Sequence, residues 1–261
     1  MRLKMKFSRL GRFIYLLTFM VIPLLSFGKD QADLLFEKAN ASYAKGEYKA
    51  ALANYRQILN SGYESPAIYF NMGNASYKTD DIPSALLYYE KAHKLAPGDE
   101  DINFNIAMAN SKTTDKIEEM PDFFLGRWIK SFILSHSAHT LAITSLLLIL
   151  LGSALLILYF FAHSVWVKKS SFYTAILLFF FGILTVFIAN RQISYFEDHR
   201  QGIVFSSSVT VKSAPNERSR ALFVVHDGTK VNVMESNNDW IRIKLANGNE
   251  GWMKIADLKE I

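Results

Sequence analysis

Two uncharged apolar stretches, residues 138–162 and 172–190, constrain the fold of this chain more than any other feature. At about 1.5 Å of helix rise per residue, each stretch is long enough to cross about 30 Å of hydrocarbon. Inside a bilayer every backbone polar group needs an internal partner, so both stretches are predicted to be transmembrane helices. Neither carries Asp, Glu, Lys, Arg or His away from its ends. This composition predicts a membrane anchor and disfavours a transporter or a channel.

The segment between the two stretches, residues 163–171, is too short for a domain. It carries Lys168 and Lys169. Because positively charged loops are retained in the cytoplasm, we expect it to be a cytoplasmic loop. The chain would then cross the membrane twice as a helical hairpin, with the segments before and after it on the same side.

The first 28 residues have the pattern of a secretory signal peptide. A basic start precedes an apolar core from Phe13 to Leu25, and Ser26 and Gly28 stand at the −3 and −1 positions before Lys29. Cleavage is the favoured interpretation, and an uncleaved N-terminal anchor is the alternative. Either way the following residues are exported, which predicts a multi-pass protein of the bacterial inner membrane with both globular parts in the periplasm.

Residues 32–65 and 66–99 align with each other position by position, so that Phe36 recurs as Phe70 and Tyr55 as Tyr89. The period matches the tetratricopeptide repeat (TPR), a helix–turn–helix unit of about 34 residues. The second unit, from Tyr69 to Pro97, closely resembles the TPR consensus. A third helix, residues 100–112, is predicted to cap the array because stacked repeats need a covered end. The predicted TPR domain therefore spans residues 32–112, and it implies a protein partner.

The TPR resemblance also implies a binding groove along the first helix of each repeat. The groove positions carried over from the family are Phe36, Asn40, Tyr43, Phe70, Asn74, Tyr77, Lys78, Phe104 and Met108. For the three phenylalanines, groove contact and simple packing remain equal alternatives. For the two asparagines the groove is favoured, since an amide in an apolar core needs partners. Phe36 and Asp101 replace two cations of the family's carboxylate clamp, so a charged C-terminus is not the expected ligand.

Residues 113–137 form a linker that mixes aromatic and aliphatic side chains with Arg127 and Lys130. This mixture predicts a short amphipathic helix at the bilayer surface. From residue 202 to 261, short alternating strands separated by Gly- and Asn-containing turns predict a small β-barrel.

The barrel segment resembles the bacterial SH3 family in the order and spacing of its motifs. The motifs are Val211 to Pro215, Gly228 to Val231, Asp239-Trp240 and Gly248 to Met253. Trp252 is predicted to lie in the core. Trp240 is predicted either in the core, which is favoured, or in a ligand groove. The resemblance suggests peptidoglycan or peptide as a ligand, without a residue that decides between them.

Charge and composition exclude several classes of function. The net charge of +5 derives from the basic N-terminus, because residues 29–137 carry 12 basic and 15 acidic side chains and residues 191–261 carry 10 and 9. A nucleic-acid partner is therefore not expected. The chain has no cysteine, its six histidines are scattered, and no phosphate-loop, zinc-protease or hydrolase motif is present. The chain is predicted to have no cofactor, metal or catalytic residue and not to be an enzyme.

The predicted fold class is thus a multidomain membrane protein: all-α TPR repeats, two transmembrane helices and a small all-β SH3-like barrel. This order of parts, behind a signal peptide, resembles the BatE family of the Bacteroides aerotolerance (Bat) operons of Bacteroidetes and related bacteria. The resemblance covers nearly the whole chain. It implies a scaffold beside other Bat proteins in an envelope complex linked to oxygen or stress tolerance. An envelope sensor that binds cell-wall peptide through the barrel is the alternative.

Overall fold

The computed structural model describes residues 31–118, 120 and 123–261. The predicted signal peptide therefore lies outside the described residues. Within them, the structure confirms the predicted fold class: short helices in the first part, two long apolar helices, and a small antiparallel sheet at the end.

Five helices make up the first part of the structure. They are α1 (Gln31–Ala44), α2 (Tyr48–Asn60), α3 (Pro66–Lys78), α4 (Ile82–Leu95) and α5 (Glu100–Asn110). Side chains define three of the helix starts: Ser65, Asp81 and Asp99 each accept a hydrogen bond from a backbone N–H in the first turn. Such caps satisfy N–H groups that have no partner within the helix.

The helices pack as pairs, α1 with α2 and α3 with α4, and α5 packs on α4. Small residues allow the paired helices to cross closely. Ala39 is fully buried, and a Cβ added to Gly73 would overlap the ring of Tyr89 on α4. Tyr55 and Tyr89 are both completely buried and supply the largest side chains of the two repeat cores.

Three further helices form the membrane-associated part: α6 (Phe124–Ile133), α7 (Ala138–Phe161) and α8 (Val165–Asp198). The turn between α7 and α8 comprises only residues 162–164, because residues 165–171 of the predicted loop are already helical. Lys168 and Lys169 are good helix formers whose long side chains can reach water, so they do not stop the helix. At its other end α8 continues beyond residue 190 for eight residues that contain no Gly or Pro.

Both α7 and α8 are long and apolar enough to cross a membrane. Only 11 % and 17 % of their most apolar windows are buried inside the structure, whereas the core helix of a soluble domain would be mostly covered. The two helices pack together at Gly152 and Gly182, which are buried at their contact. Ser145 of α7 donates a buried hydrogen bond of 2.9 Å to the carbonyl oxygen of Gly182.

The short helix α6 packs against the C-terminal part of α8. The side-chain amide of Gln192, which is 2 % exposed, donates to the carbonyl oxygens of Ile133 at 2.9 Å and His136 at 2.7 Å. The apolar side chains of α6 remain largely exposed; they are Phe124, Leu125, Trp128, Ile129 and Phe132. Since Gln192 follows the apolar part of α8 directly, α6 lies where the bilayer surface is expected, which suits an interfacial helix.

Seven antiparallel strands form the last part of the structure. They are β1 (Gln201–Val204), β2 (Ser208–Lys212), β3 (Ala221–His226), β4 (Lys230–Asn237), β5 (Trp240–Lys244), β6 (Glu250–Lys254) and β7 (Leu258–Glu260), in the spatial order β3-β2-β6-β5-β4-β1-β7. All seven strands contribute to a single apolar core, so the sheet closes around it as a small barrel. Gly228, Asn238 and Gly248 adopt positive φ angles in the three predicted turns.

The barrel packs directly on α4. One apolar cluster joins the helices to the barrel: it contains Ala85, Leu86, Leu87 and Tyr89 of α4, Ala109 of α5 and Ile203 of β1, with Phe205 and Ile261 beside them. A largely buried ion pair flanks it, in which Lys230 Nζ lies 2.7 Å from the carboxylate of Glu90. Glu90 is only 5 % exposed. The TPR helices and the barrel are therefore joined by both packing and charge.

The segment after α5 forms a second attachment to the barrel. The carboxylate of Asp115 accepts hydrogen bonds from the backbone N–H of His226 at 2.7 Å and from Thr229 Oγ1 at 2.6 Å. Burial acts to raise the pKa of Asp115, but the hydrogen bonds from Thr229 and His226 outweigh it and hold that pKa below its usual value. Ile117 then packs against the barrel core. The linker is thus bound along the barrel.

Candidate protein-binding surfaces

The nine predicted groove residues lie on the first helices of the repeats, α1, α3 and α5, and on no other element. Lys78 and Phe104 are exposed, and the other seven are half-buried. The barrel's main contact is with α4, a second helix, and of the nine residues only Phe70 and Tyr77 pack against the apolar cluster that the helices share with the barrel. We call this face, defined by the nine residues, the groove.

The amides of Asn40 and Asn74 have a role that their sequence positions did not predict. Asn40 Oδ1 accepts hydrogen bonds from the Tyr55 hydroxyl at 2.5 Å and from Asn71 Nδ2 at 3.1 Å. Burial raises the pKa of Tyr55 to about 12, so its hydroxyl stays protonated and remains a donor. The amide oxygen therefore ties three helices together.

The same arrangement recurs one repeat later. Asn74 Oδ1 accepts from the Tyr89 hydroxyl at 2.8 Å and from Asn105 Nδ2 at 3.3 Å. Asn71 and Asn105 were not predicted as groove residues, although their spacing of one repeat could have identified them. Within the described residues no hydrogen bond uses the Nδ2 groups of Asn40 and Asn74. These donors are what the two predicted asparagines can offer a partner.

The three phenylalanines of the groove differ from one another. The rings of Phe36 and Phe70 each lie 5.9 Å from the tyrosine of their own repeat, Tyr55 and Tyr89, in tilted contact. Both therefore help to pack the array and present only part of their surface. Phe104 is 68 % exposed, because among the described residues no second helix of a repeat packs on α5.

A second lysine lies at one end of the groove. Lys112 Nζ lies 4.4 Å from the ring centre of Tyr77 and 3.1 Å from the carboxylate of Asp80. The side chain of Lys112 is 42 % exposed, so the ion pair contributes little to stability. Lys112 stands one repeat after the predicted groove residue Lys78, a signal that sequence reasoning did not use.

The barrel carries two tryptophans on its outer face. The prediction that Trp252 lies in the core is wrong: in β6 its neighbours Gly251 and Met253 are buried, and Trp252 is half-exposed on the opposite face. Strand alternation determines on which face Trp252 lies, since neighbouring residues point to opposite sides of a sheet. Trp240 is likewise half-exposed, while Ile241 is buried. The favoured core position of Trp240 is therefore wrong as well, and the alternative of a surface groove remains open.

Cations surround these two rings. Lys212 Nζ and Lys254 Nζ lie 5.5 and 5.8 Å from the centre of the Trp240 ring. Both lysines also contact the carboxylate of Glu217, at 2.8 and 2.6 Å. Hydrogen bonds first from Lys212 and then from Lys254 lower the pKa of Glu217 to about 2, so this carboxylate is ionised. Arg242 lies opposite Trp252 in the register of β5 and β6.

The side chains of these two surfaces are of kinds that make non-covalent contacts. Within residues 31–118, 120 and 123–261, no three His, Asp or Glu side chains are grouped so that they could hold a metal ion. His226 contacts Asp115 at 2.8 Å, but that pair attaches the linker to the barrel. The chemistry that the groove and the outer barrel face provide is hydrogen-bond donation, aromatic contact and positive charge.

Comparison with known proteins identifies two domain families. A family model described as "Bacterial SH3 domain" matches residues 207–259, and one described as "Tetratricopeptide repeat" matches residues 66–99. No curated protein matches the chain. Among solved structures, an NlpC/P60 family protein from Bacillus cereus ATCC 10987 is similar at 18 % identity, over 28 % of this chain and 23 % of that one. Its TM-score of 0.21 is too low to support an argument about function.

Proposed function

We propose that this chain is a membrane-anchored scaffold that holds a protein partner in its TPR groove. TPR units are typically non-catalytic protein-binding modules, and two long apolar helices attach this one to a membrane. The observation that carries the proposal is the position of the barrel. It packs mainly on α4, and the first-helix face keeps partly exposed aromatic rings and amide groups.

The character of the groove suggests what it binds. The Nδ2 groups of Asn40 and Asn74 recur at one-repeat spacing and suit the carbonyl oxygens of a peptide backbone. The partly exposed rings of Tyr43 and Tyr77 add apolar contact area. We therefore propose a peptide segment of a partner protein as the ligand, bound through its backbone and apolar side chains.

We further propose that both globular parts lie in the periplasm. Two observations support this topology: the TPR helices and the barrel are in contact, and α7 and α8 form a hairpin that returns the chain to its starting side. The predicted signal peptide and the two lysines of the hairpin, Lys168 and Lys169, favour export of the ends. The order of parts resembles that of the BatE family, so the proposed partner is another Bat protein in an aerotolerance or envelope-stress complex.

Changing both groove asparagines to aspartate is expected to weaken partner binding without unfolding the repeats. Asn40→Asp with Asn74→Asp keeps the oxygens that accept from Tyr55 and Tyr89 and removes the two Nδ2 donors. Losing two hydrogen bonds of about 0.5–1.5 kcal/mol each predicts a roughly five- to hundredfold weaker complex. The measurement is quantitative cross-linking of the full-length protein to its partners in cells, followed by mass spectrometry.

Asn60→Asp is the matched control for this test, since Asn60 is exposed at the end of α2. It should leave cross-linking unchanged. Circular dichroism of each purified protein checks that the helices are intact. Equal partner recovery from the double variant and the control, with both folded, would contradict the groove proposal.

A second candidate function is binding of cell-wall material by the barrel, as the bacterial SH3 match suggests. The observation that favours it is the pair of half-exposed tryptophans beside Lys212, Lys254 and Arg242. Aromatic faces suit sugar rings and peptide side chains, and the cations suit carboxylates. Glu217 already places one carboxylate between the two lysines, which shows the kind of group that fits there.

For this candidate, Trp240→Ala with Trp252→Ala is expected to reduce co-sedimentation of the full-length protein with purified peptidoglycan at least tenfold. Truncating an aromatic side chain at the centre of an interface typically costs about 2 kcal/mol or more, which is more than a factor of ten in affinity. Trp166→Ala is the control, because Trp166 lies 84 % exposed at the other end of the membrane helices. If the unaltered protein does not sediment above a protein-free background, the barrel is not a peptidoglycan-binding module.

A further inference from the structure

The helix α5 is the first helix of a third repeat, but within the described residues no second helix pairs with it. After Asn110 the chain turns into the linker that runs to the barrel. Two features of the earlier repeats nevertheless recur on α5 at one-repeat spacing. A small residue follows the series Ala39, Gly73, Ala107, and a ring follows the series Phe36, Phe70, Phe104.

In the first two repeats this pair of residues receives a tyrosine from the second helix. Tyr89 lies so close over Gly73 that a Cβ there would overlap its ring, and it contacts Phe70 at 5.9 Å. Tyr55 contacts Phe36 at the same distance of 5.9 Å. Both tyrosines are fully buried. A small residue and a phenylalanine therefore form the seat for a second-helix aromatic residue, and the molecule contains two occupied examples.

On α5 no side chain of the described part of the chain fills the same seat. Phe104 is 68 % exposed and Ala107 is exposed. Their neighbours on this face are polar and exposed: Glu100, Asp101, Asn103 and Asn110. A helix whose only task is to cap the array would need a polar outer face throughout. A large apolar ring retained beside a small residue is instead the arrangement that a crossing helix requires.

We propose that α5 binds an α-helix of a partner protein, which seats an aromatic side chain between Phe104 and Ala107 and completes the third repeat. The partner helix would continue the stack in which α2 covers α1 and α4 covers α3. This inference deepens the proposed scaffold function, because it names the partner element that binds at the third-repeat end of the groove, where Phe104 and Met108 lie.

Two details of α5 specify the chemistry of the partner helix. In the occupied repeats the tyrosine hydroxyl donates to Asn40 or Asn74, but the equivalent position of the third repeat is Met108. Met108 has no amide oxygen and a sulfur that packs well on rings, so phenylalanine fits this seat better than tyrosine. The acidic N-terminal turn of α5, Glu100 and Asp101, favours basic residues on the facing end of the partner.

A peptide based on the sequence of α4 can serve as a probe for this seat on α5. A synthetic peptide of residues 81–97 carries the second-helix pattern, and the substitution Tyr89→Phe adapts it to Met108. A hydrocarbon staple between positions 90 and 94 keeps the peptide helical, since short isolated helices are marginal in water. In the protein these two positions contact Lys230 and the carbonyl oxygen of Ile261 of the barrel, so the staple leaves the helix-facing side free.

The experiment measures fluorescence anisotropy of the labelled peptide with the full-length protein in detergent micelles. Saturable binding is expected, and it should weaken at least tenfold when Ala107→Leu fills the seat or Phe104→Ala removes its wall. Both positions are exposed, so neither change should unfold the repeats. Ala53→Leu, at an exposed position of α2, is the matched control and should bind like the unaltered protein.

Three results would overturn the proposal. They are no saturable binding up to millimolar protein, binding that Ala107→Leu leaves unchanged, and concentration-dependent dimers that Ala107→Leu abolishes, since the last would assign the seat to a second copy of this chain. The test is separable from that of the groove. Asn40→Asp with Asn74→Asp should leave peptide binding at α5 intact, whereas Ala107→Leu should leave groove-dependent cross-links intact.

Discussion

Replacing Lys230 with methionine is expected to release the barrel from the TPR helices while both remain folded. The change leaves Glu90 without its cation at a position that is only 5 % exposed. Removing one partner of a buried ion pair typically costs about 3–5 kcal/mol. That cost falls on the contact between α4 and β1, so the docked state should become roughly a hundred- to several thousandfold less populated. Hydrogen exchange of the full-length protein should then accelerate in α4 and β1.

A double variant separates the charge effect from a packing effect. Glu90→Leu with Lys230→Met replaces the ion pair by apolar side chains of similar size, which is often neutral or stabilising. It should restore slow exchange across α4 and β1. Lys112→Met breaks the exposed pair with Asp80 and is expected to leave hydrogen exchange across α4 and β1 unchanged. If Lys230→Met exchanges like the unaltered protein, the ion pair does not hold the domains together.

Reporter fusions are expected to give an all-or-none pattern along the chain. Alkaline phosphatase, which is active only outside the cytoplasm, should be active when fused after Thr114 or after Ile261 and inactive after His163. A fluorescent protein that folds only in the cytoplasm should give the opposite pattern. The physical reason is that His163 lies in the three-residue turn between α7 and α8, whereas the other two positions lie in parts that contact each other.

Each possible pattern of fusion activity leads to a different conclusion about the topology. Activity after His163 alone would invert the proposed orientation and would contradict the periplasmic location of both domains. Activity after only one of Thr114 and Ile261 would place the TPR helices and the barrel on opposite sides, which their packing through Leu86, Leu87 and Ile203 does not permit. A fusion within residues 165–171 would be a poorer choice, because this segment is the first part of α8 and not a loop.

The sequence predicted best those features that follow from a regular spacing of residues along the chain. The repeat period located the TPR helices. The absence of charged residues predicted where α7 and α8 lie. A segment of this kind in lipid must satisfy its backbone hydrogen bonds internally, and a helix does so. Their ends were less accurate, because a helix stops at a structural signal such as Gly or Pro and not where hydrophobicity ends.

Contacts between parts of the chain were not predictable in the same way. Leu86 and Leu87 fit an ordinary repeat core, and nothing in their spacing indicates that a barrel covers them. Asn40 and Asn74 are predicted in the groove, but their amide oxygens also accept hydrogen bonds from side chains that lie 15 and 31 residues away on other helices. For Trp252 the general tendency of tryptophan to fill small cores was given more weight than strand alternation, which places it outside.

The continuous helix α8 limits how far the binding surfaces extend from the membrane. It runs for 34 residues without a break and passes directly into β1 after two residues. Only eight of its residues lie beyond the apolar stretch, which raises the barrel by about 12 Å above the hydrocarbon edge. Because the TPR helices are fastened to the barrel, they share this height. Under the proposed scaffold function, a partner would have to present its binding segment within about one domain diameter, roughly 30 Å, of the lipid headgroups, which selects for partners that are themselves held at the membrane.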